Sequence, residues 1–232
     1  MTLVPINAAQ AKDLAGYESD PGRAAREWQT YQGERWANRN PMDALATDES
    51  FRYRYGITKT WAARDALREL PRDLSFIEVG CSRGAHLNLL RSLGFSKLYG
   101  MDISLPALQQ VGESNVCQGD AAHLPFADGA ADVVTTAGSM MHFGPADRMQ
   151  ASIRELARVT RRYLFVAELW SNQQMIVSFG ELLPPVWLFQ WELAVPNLLG
   201  PEWKVRYHKI YSLVKHEGLY APLCFTLFER AA

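Results

Sequence analysis

Between residues 75 and 168, short uninterrupted apolar runs alternate with stretches of helical periodicity, and this alternation constrains the fold more than any other feature. Phe76-Ile77-Glu78-Val79 runs into glycines. Gly84 to Leu93 then sets Leu87, Leu90 and Leu93 on one helical face, with Gly94 as its C-cap. Leu98-Tyr99-Gly100-Met101, Val116-Cys117, Asp132-Val133-Val134-Thr135-Thr136 and Tyr163-Leu164-Phe165-Val166-Ala167 read as further strands. Pro145 opens a helix with Met149, Ile153 and Leu156 inward. Strands that are apolar throughout are covered on both faces, and helices between them supply the crossovers of a parallel sheet. The expectation is a doubly wound α/β core.

The flanks differ. Residues 1–50 are polar and acidic, with turn signals at Gly16, Pro21-Gly22 and Asn40-Pro41. A helix over Trp61–Leu70, stopped by Pro71, ends a segment expected as an N-terminal helical cap or lid over residues 1–72. Residues 73–232 form the core as one structural domain, with an aromatic-rich insertion at 171–209. That insertion and its border carry four of the seven tryptophans, Trp170, Trp187, Trp191 and Trp203. Ile210 to His216 reads as one more helix, capped by Gly218, and Leu223–Phe228 as a final strand.

Composition removes several classes. The 24 Lys and Arg against 25 Asp and Glu give a net charge of −1, without the surplus of a dedicated nucleic-acid binder. The alternation Phe51-Arg52-Tyr53-Arg54-Tyr55 reads as a lid or helix face before it reads as a base-stacking platform. Three cysteines, Cys81, Cys117 and Cys224, are far apart and form no C-x-x-C pair, so neither a disulfide framework nor a zinc site is expected. The first residues lack a basic leader ahead of an apolar core. The most apolar stretch, Leu182–Gly200, is broken by Pro184, Pro185 and Pro196, short of the about 20 apolar residues of a membrane span. A cytoplasmic protein without a membrane span is expected.

In an open parallel sheet, ligands bind beyond the carboxyl ends of the strands, at the point where strand order reverses. The first strand ends in Glu78-Val79-Gly80-Cys81-Ser82-Arg83-Gly84, directly before a helix. Glycines there let backbone approach a ligand, and the helix N-terminus offers free N–H groups. The second strand ends at Asp102-Ile103, where a carboxylate can accept both hydroxyls of a ribose. The third ends at Asp120-Ala121-Ala122-His123-Leu124-Pro125-Phe126, the fourth passes through Thr136-Ala137-Gly138-Ser139 to His142, and the fifth ends at Glu168.

This ensemble over residues 75–168 resembles the class I S-adenosylmethionine-dependent methyltransferases. The resemblance implies a seven-stranded Rossmann-like sheet with its last strand antiparallel, although little chain follows Gly218 and the sixth strand is left open. It implies S-adenosylmethionine as cofactor and S-adenosylhomocysteine as product. Glu78, Gly80, Cys81, Ser82 and Gly84 would form the loop that faces its methionine part. Asp102 and Ile103 would lie at the ribose, Asp120 and Ala121 at the adenine, and Thr136 and Ala137 near the methionine amine. Ser82 replaces a customary glycine and fits if its φ is negative. A closer resemblance, carried by Trp28, Gly33, Trp36 and Arg39-Asn40 ahead of the Glu78–Leu87 loop, is to methylases linked to sugar biosynthesis. Arg39 would then close on the cofactor's carboxylate.

The reaction expected is methyl transfer to an oxygen or nitrogen atom of a small-molecule acceptor. His142 is the first candidate for the base that removes its proton, and Glu168 the second. His86 and His123 read as loop histidines, His208 and His216 as solvated, and no set of side chains has metal-ligand spacing. The tryptophans read first as core, then as a wall of the acceptor pocket or a homodimer contact. Two alternatives stay open: a nicotinamide-dependent reductase on the same sheet, and a non-catalytic adaptor that keeps the fold as a scaffold.

Overall fold

The computed structural model describes residues 15–38, 59–112, 115–177, 185–216 and 219–231. Nine strands lie in the described chain: β1 Ser75–Val79, β2 Lys97–Asp102, β3 Val116–Gln118, β4 Ala131–Ala137, β5 Thr160–Leu169, β6 Met175–Val177, β7 Val186–Leu188, β8 Trp203–His216 and β9 Leu219–Arg230. The helices used below are α1 Arg23–Gln29, α2 Tyr31–Asn38, α3 Ala85–Ser92, α4 Leu105–Leu108, α5 Ala146–Val159 and α6 Trp191–Leu199, with a further helix over 59–67.

Seven strands form one sheet in the order β3-β2-β1-β4-β5-β9-β8, and β6 pairs with β7 in a small separate ribbon. Strands β1 to β5 are parallel, as their uninterrupted apolar runs require. β9 runs antiparallel between β5 and β8. Strand order reverses between β1 and β4, which places the ligand crevice at the carboxyl ends of those two strands.

The sheet's two faces carry two cores. On one, Ile77, Val79, Val134, Leu164 and Val166 meet Met149, Ile153 and Leu156 of α5 together with Trp187, Trp191 and Val195. On the other, Phe76, Leu98, Val133 and Phe165 meet Leu87 and Leu90 of α3 and Ala62, Ala63, Ala66 and Leu67 of the 59–67 helix. That helix therefore lies against the sheet, and Asp65 fixes it to β8 by accepting hydrogen bonds from Tyr207 (2.8 Å) and Lys209 (2.6 Å). It stops ahead of Pro71, where the Arg72 guanidinium covers the carbonyls of Leu67 and Arg68.

Two expectations are corrected. Ile210–His216 is not a helix but the second half of β8, and the sixth sheet strand left open by the sequence is this strand. Its register with β9 runs from Trp203↔Arg230 to His216↔Leu219. The side chains from Trp203 to Tyr207 alternate in the period of a strand, and the pairing carries that conformation through the residues beyond. His208 is half-buried, with Nδ1 2.8 Å from the Thr226 hydroxyl, rather than solvated. Gly218, expected as a cap, lies outside the described residues, as do Arg39, Asn40 and residues 51–58.

Helices α1 and α2 straddle the crevice. Trp28 of α1 meets the His142 ring edge-on at 5.0 Å on the β4 side. On the β2 side α2 settles on α4, where Gln110 donates to the Ala37 carbonyl at 3.0 Å. Gly33 makes this crossing possible, because a Cβ there would stand 2.1 Å from the Trp28 carbonyl and 2.6 Å from the Ser104 hydroxyl.

Candidate active site

The loop after β1 is built around Asp102. Its Oδ2 accepts the Ser82 N–H at 2.8 Å and its Oδ1 the Ser104 N–H at 2.8 Å. Each oxygen keeps a lone pair for a further donor. Burial pushes the Asp102 carboxyl above its ordinary pKa, and the backbone N–H groups hold it partly back. Gly80 and Gly84 have φ of 81° and 77°, which only glycine adopts without strain. Ser82 has φ of 48°, so the condition of a negative φ, on which its fit in the loop was made to depend, is not met. The serine takes the left-handed turn that a glycine normally makes, and the Ser82–Asp102 bond holds it there. Cys81 turns its side chain away from the crevice: a Cβ at Gly100 would stand 2.7 Å from its sulfur. Burial raises that thiol's pKa.

Glu78 is buried under this loop and takes a backbone hydrogen bond from Leu87, in the first turn of α3. Burial raises its pKa to about 8. His86, expected as a loop residue, is buried in α3 between the Thr135 hydroxyl, 3.5 Å from Nε2, and the Phe165 ring, and burial lowers its pKa to about 3.

At the third strand, Asp120 Oδ1 accepts the Ala122 N–H at 3.0 Å and an ion pair from Arg148 of α5. Burial works to raise the carboxyl's pKa, but these donors outweigh it and leave it below the ordinary range. Ala121 is buried beside it, and the half-buried Ile103 offers its carbonyl to Gln118 at 3.0 Å. The Leu124–Asp128 loop hangs on Arg158, which reaches the Leu124 and Phe126 carbonyls, Asp128 and Glu155.

At the fourth and fifth strands, Glu168 Oε1 accepts the Ser139 and Met140 N–H groups at 3.1 and 3.0 Å, while Ser139 Oγ donates to the Val79 carbonyl at 2.8 Å. Glu168 thus holds the turn that carries His142, and burial raises its pKa. Thr136 is fully buried and Ala137 packs against the sheet core. His142 is 9% exposed, its Nδ1 has no hydrogen-bond partner, and burial lowers its pKa to about 4. The sequence missed Lys59, whose Nζ stands 4.0 Å from the position a Gly138 Cβ would take. No periodicity marks it; only the docking of its helix brings it to the crevice.

The tryptophans are core: Trp187, Trp191 and Trp203 are buried, and Trp191 donates to the Leu169 carbonyl at 2.7 Å. Trp170 is half-buried and donates to Glu192 at 2.9 Å. Among the described residues no helix is long and apolar enough to cross a membrane, and no group of three or more His, Cys, Asp or Glu is arranged to hold a metal ion.

The crevice beyond these strand ends, with an acid at each of four of them, is where an open α/β sheet binds its ligand. Residues 77–164 match the family model described as a methyltransferase domain. No curated protein matches the chain. Among solved structures, magnesium protoporphyrin IX methyltransferase from Synechocystis, with bound S-adenosylhomocysteine, superposes with a TM-score of 0.63 at 17% identity, covering 91% of this chain and 100% of that one. A SAM-dependent methyltransferase from Methanosarcina mazei gives 0.59 at 16% identity, covering 71% and 95%. A chain from the complex between the Haloferax volcanii Trm112 methyltransferase activator and a putative methyltransferase gives 0.58 at 16%, covering 84% and 97%. These likenesses show the fold, and the domain match covers the part of the sheet from β1 to β5. Residues 77–164 thus carry a methyltransferase domain, on a fold shared with S-adenosylmethionine-dependent methyltransferases.

The residues present fit that cofactor. Glu78 Oε2, Thr136 Oγ1 and Glu168 Oε2 are buried at the ends of β1, β4 and β5 without hydrogen-bond partners. Unsatisfied polar atoms of this kind are rare in a folded protein and mark where a polar ligand belongs.

Proposed function

We propose that the enzyme methylates an oxygen or nitrogen atom of a small-molecule acceptor, and that His142 takes the acceptor's proton. The observation that carries this reading is the buried, unpartnered Nδ1 of His142 on the turn after β4, covered by Trp28. Bound S-adenosylmethionine supplies a methyl group already activated on sulfur, so the protein's work is alignment, exclusion of water and removal of one proton. With its pKa lowered to about 4, the His142 ring is neutral at physiological pH and ready to accept.

In the same reading Asp102 takes the ribose hydroxyls and Asp120, through its second oxygen, the adenine amino group. Gly80 and Gly84 bring backbone close to the cofactor between them. Glu168 serves better as the group that positions residues 139–142 than as a base, because its Oε1 already accepts two backbone N–H groups. Helices α1 and α2, across the crevice, act as the lid. The small-molecule class draws support from the neighbour named for magnesium protoporphyrin IX, and the Trp28–Asn40 resemblance adds sugars to the acceptors considered.

The test uses labelled S-adenosylmethionine with a panel of hydroxyl, carboxyl and amine compounds, nucleotide-linked sugars among them. Transfer to one of them that falls about 100-fold or more in kcat in His142→Gln, with S-adenosylhomocysteine affinity unchanged, supports the reading. Label entering only protein or RNA, or a His142→Gln enzyme within about twofold of wild type, overturns it.

A further inference from the structure

The turn after β4 fixes the backbone of His142 but not its ring. The His142 N–H donates to the Ser139 carbonyl at 2.9 Å and the Phe143 N–H to the Met140 carbonyl at 3.0 Å, while Glu168 holds the Ser139 and Met140 N–H groups from β5. A histidine that moves a proton is ordinarily oriented by a hydrogen bond on its second ring nitrogen, which also sets the tautomer. Nδ1 of His142 is buried and has no such partner among the described residues. Packing is left to hold the ring, and Trp28 of α1 stands edge-on to it, with centroids 5.0 Å apart and planes at 63°. The Trp28 backbone is braced in turn. Thr30 alone joins α1 to α2: its N–H and hydroxyl donate to the Arg26 carbonyl at 3.2 and 2.9 Å, and its carbonyl accepts the Glu34 N–H at 3.0 Å. Helix α2 then passes back so that the buried Gly33 lies against both the Trp28 carbonyl and Ser104, the residue whose N–H reaches Asp102.

We propose that Trp28 is the positioning residue for His142: its ring holds an imidazole that no hydrogen bond orients, and the elbow of α1 and α2 carries that hold from Ser104 across the crevice. The lid thereby supplies part of the catalytic geometry as well as cover. The proposal rests on the reading of His142 as the base. No charge shares in the hold. Of the strands against this turn, β7 carries no ionisable side chain, and Glu168 of β5 gives one oxygen to the turn's backbone. On α1 Arg23 pairs with Glu27 and Arg26 with Asp20; on α5 Arg148 pairs with Asp120, and Asp147 is exposed. Burial alone keeps the His142 pKa at about 4, so uncovering the ring returns it towards the ordinary 6.5.

Ring NMR of the full chain with its five histidines labelled reads this hold without turnover, His142 being the signal lost in His142→Gln. Wild-type His142 is expected to titrate below about pH 5, Trp28→Phe within about half a unit of it, and Trp28→Ala about one unit or more higher. Turnover is read with labelled S-adenosylmethionine and an acceptor from the panel at about pH 8, where the ring is neutral in every variant. There kcat should fall about tenfold in Trp28→Ala and return in Trp28→Phe. A ring that Trp28→Ala leaves unmoved, an unchanged kcat, or an equal fall in Trp28→Phe overturns the assignment. If Trp28→Ala unfolds the chain, Trp28→Leu is read in the same way, and a wild-type ring that titrates near 6.5 overturns the assignment without any variant. A His142→Gln enzyme with wild-type turnover sinks the base on which the proposal stands. That failure is distinct from the failure of Trp28, because the ring titration still reports the contact.

Discussion

Ser82 shows how a single side chain can hide a backbone requirement. Its φ of 48° lies where L-residues are strained by about 1–2 kcal/mol, yet serine is small and its N–H is held by Asp102. Ser82→Gly is expected to cost no stability, whereas Ser82→Val, with a branched Cβ in the same conformation, should lose about 1–2 kcal/mol. Urea midpoints of the two variants check this, and equal midpoints would show that the loop rearranges freely. At this scale the sequence was readable where chemistry and spacing coincide. Asp102, Asp120 and Glu78 stand at strand ends, so their places along the crevice follow once the strands are recognised. Lys59 and His86 were not readable, because their burial and neighbours come from helices docking on the sheet.

Helices and strands record a different balance between local signal and tertiary context. The parallel strands and α3 announced themselves by continuous apolar runs and by glycine at each turn. β8 did not, because Ile210–His216 mixes apolar and basic residues at spacings a helix would also accept, and only pairing with β9 decides. The ribbon of β6 and β7 was also missed, since three-residue strands carry almost no periodicity. One side chain holds an irregular element together. Arg158 makes five hydrogen bonds, to Glu155, Asp128 and the Leu124 and Phe126 carbonyls. Arg158→Met keeps the stem but removes them, and with the side chain 32% exposed the loss should be about 1–2 kcal/mol. Faster amide exchange at Leu124–Asp128 in this variant is the expected signature; unchanged exchange there would show that the loop stands without Arg158.

For the molecule as a whole, buried titrating groups set a pH profile. His142 and His86 have folded pKa values of about 4 and about 3, below the ordinary 6.5, so the unfolded chain binds their protons first and stability is lost as pH falls below 6.5. Glu78 has the opposite sign: at about 8 against 4.5, the folded chain holds the proton, and stability is lost as pH rises through that window. Between 4.5 and 6.5 the two histidines oppose Glu78, Glu168 and Asp102, whose carboxyls are all raised; above 6.5 the histidines no longer act and the pull of Glu78 remains. Stability should therefore be lower at pH 8.5 than at 6.5, with the drop reduced in Glu78→Gln. Denaturation at the two pH values tests this, and a wild-type protein more stable at 8.5 would contradict it. The position of β9 has a consequence for biogenesis. As the chain leaves the ribosome β8 emerges before β9, yet in the finished sheet β9 is its one pairing partner among the described strands. Until β9 follows, β5 offers an unsatisfied edge and β8 has nowhere to dock, so the growing polypeptide passes through an interval in which it can recruit strands from its neighbours.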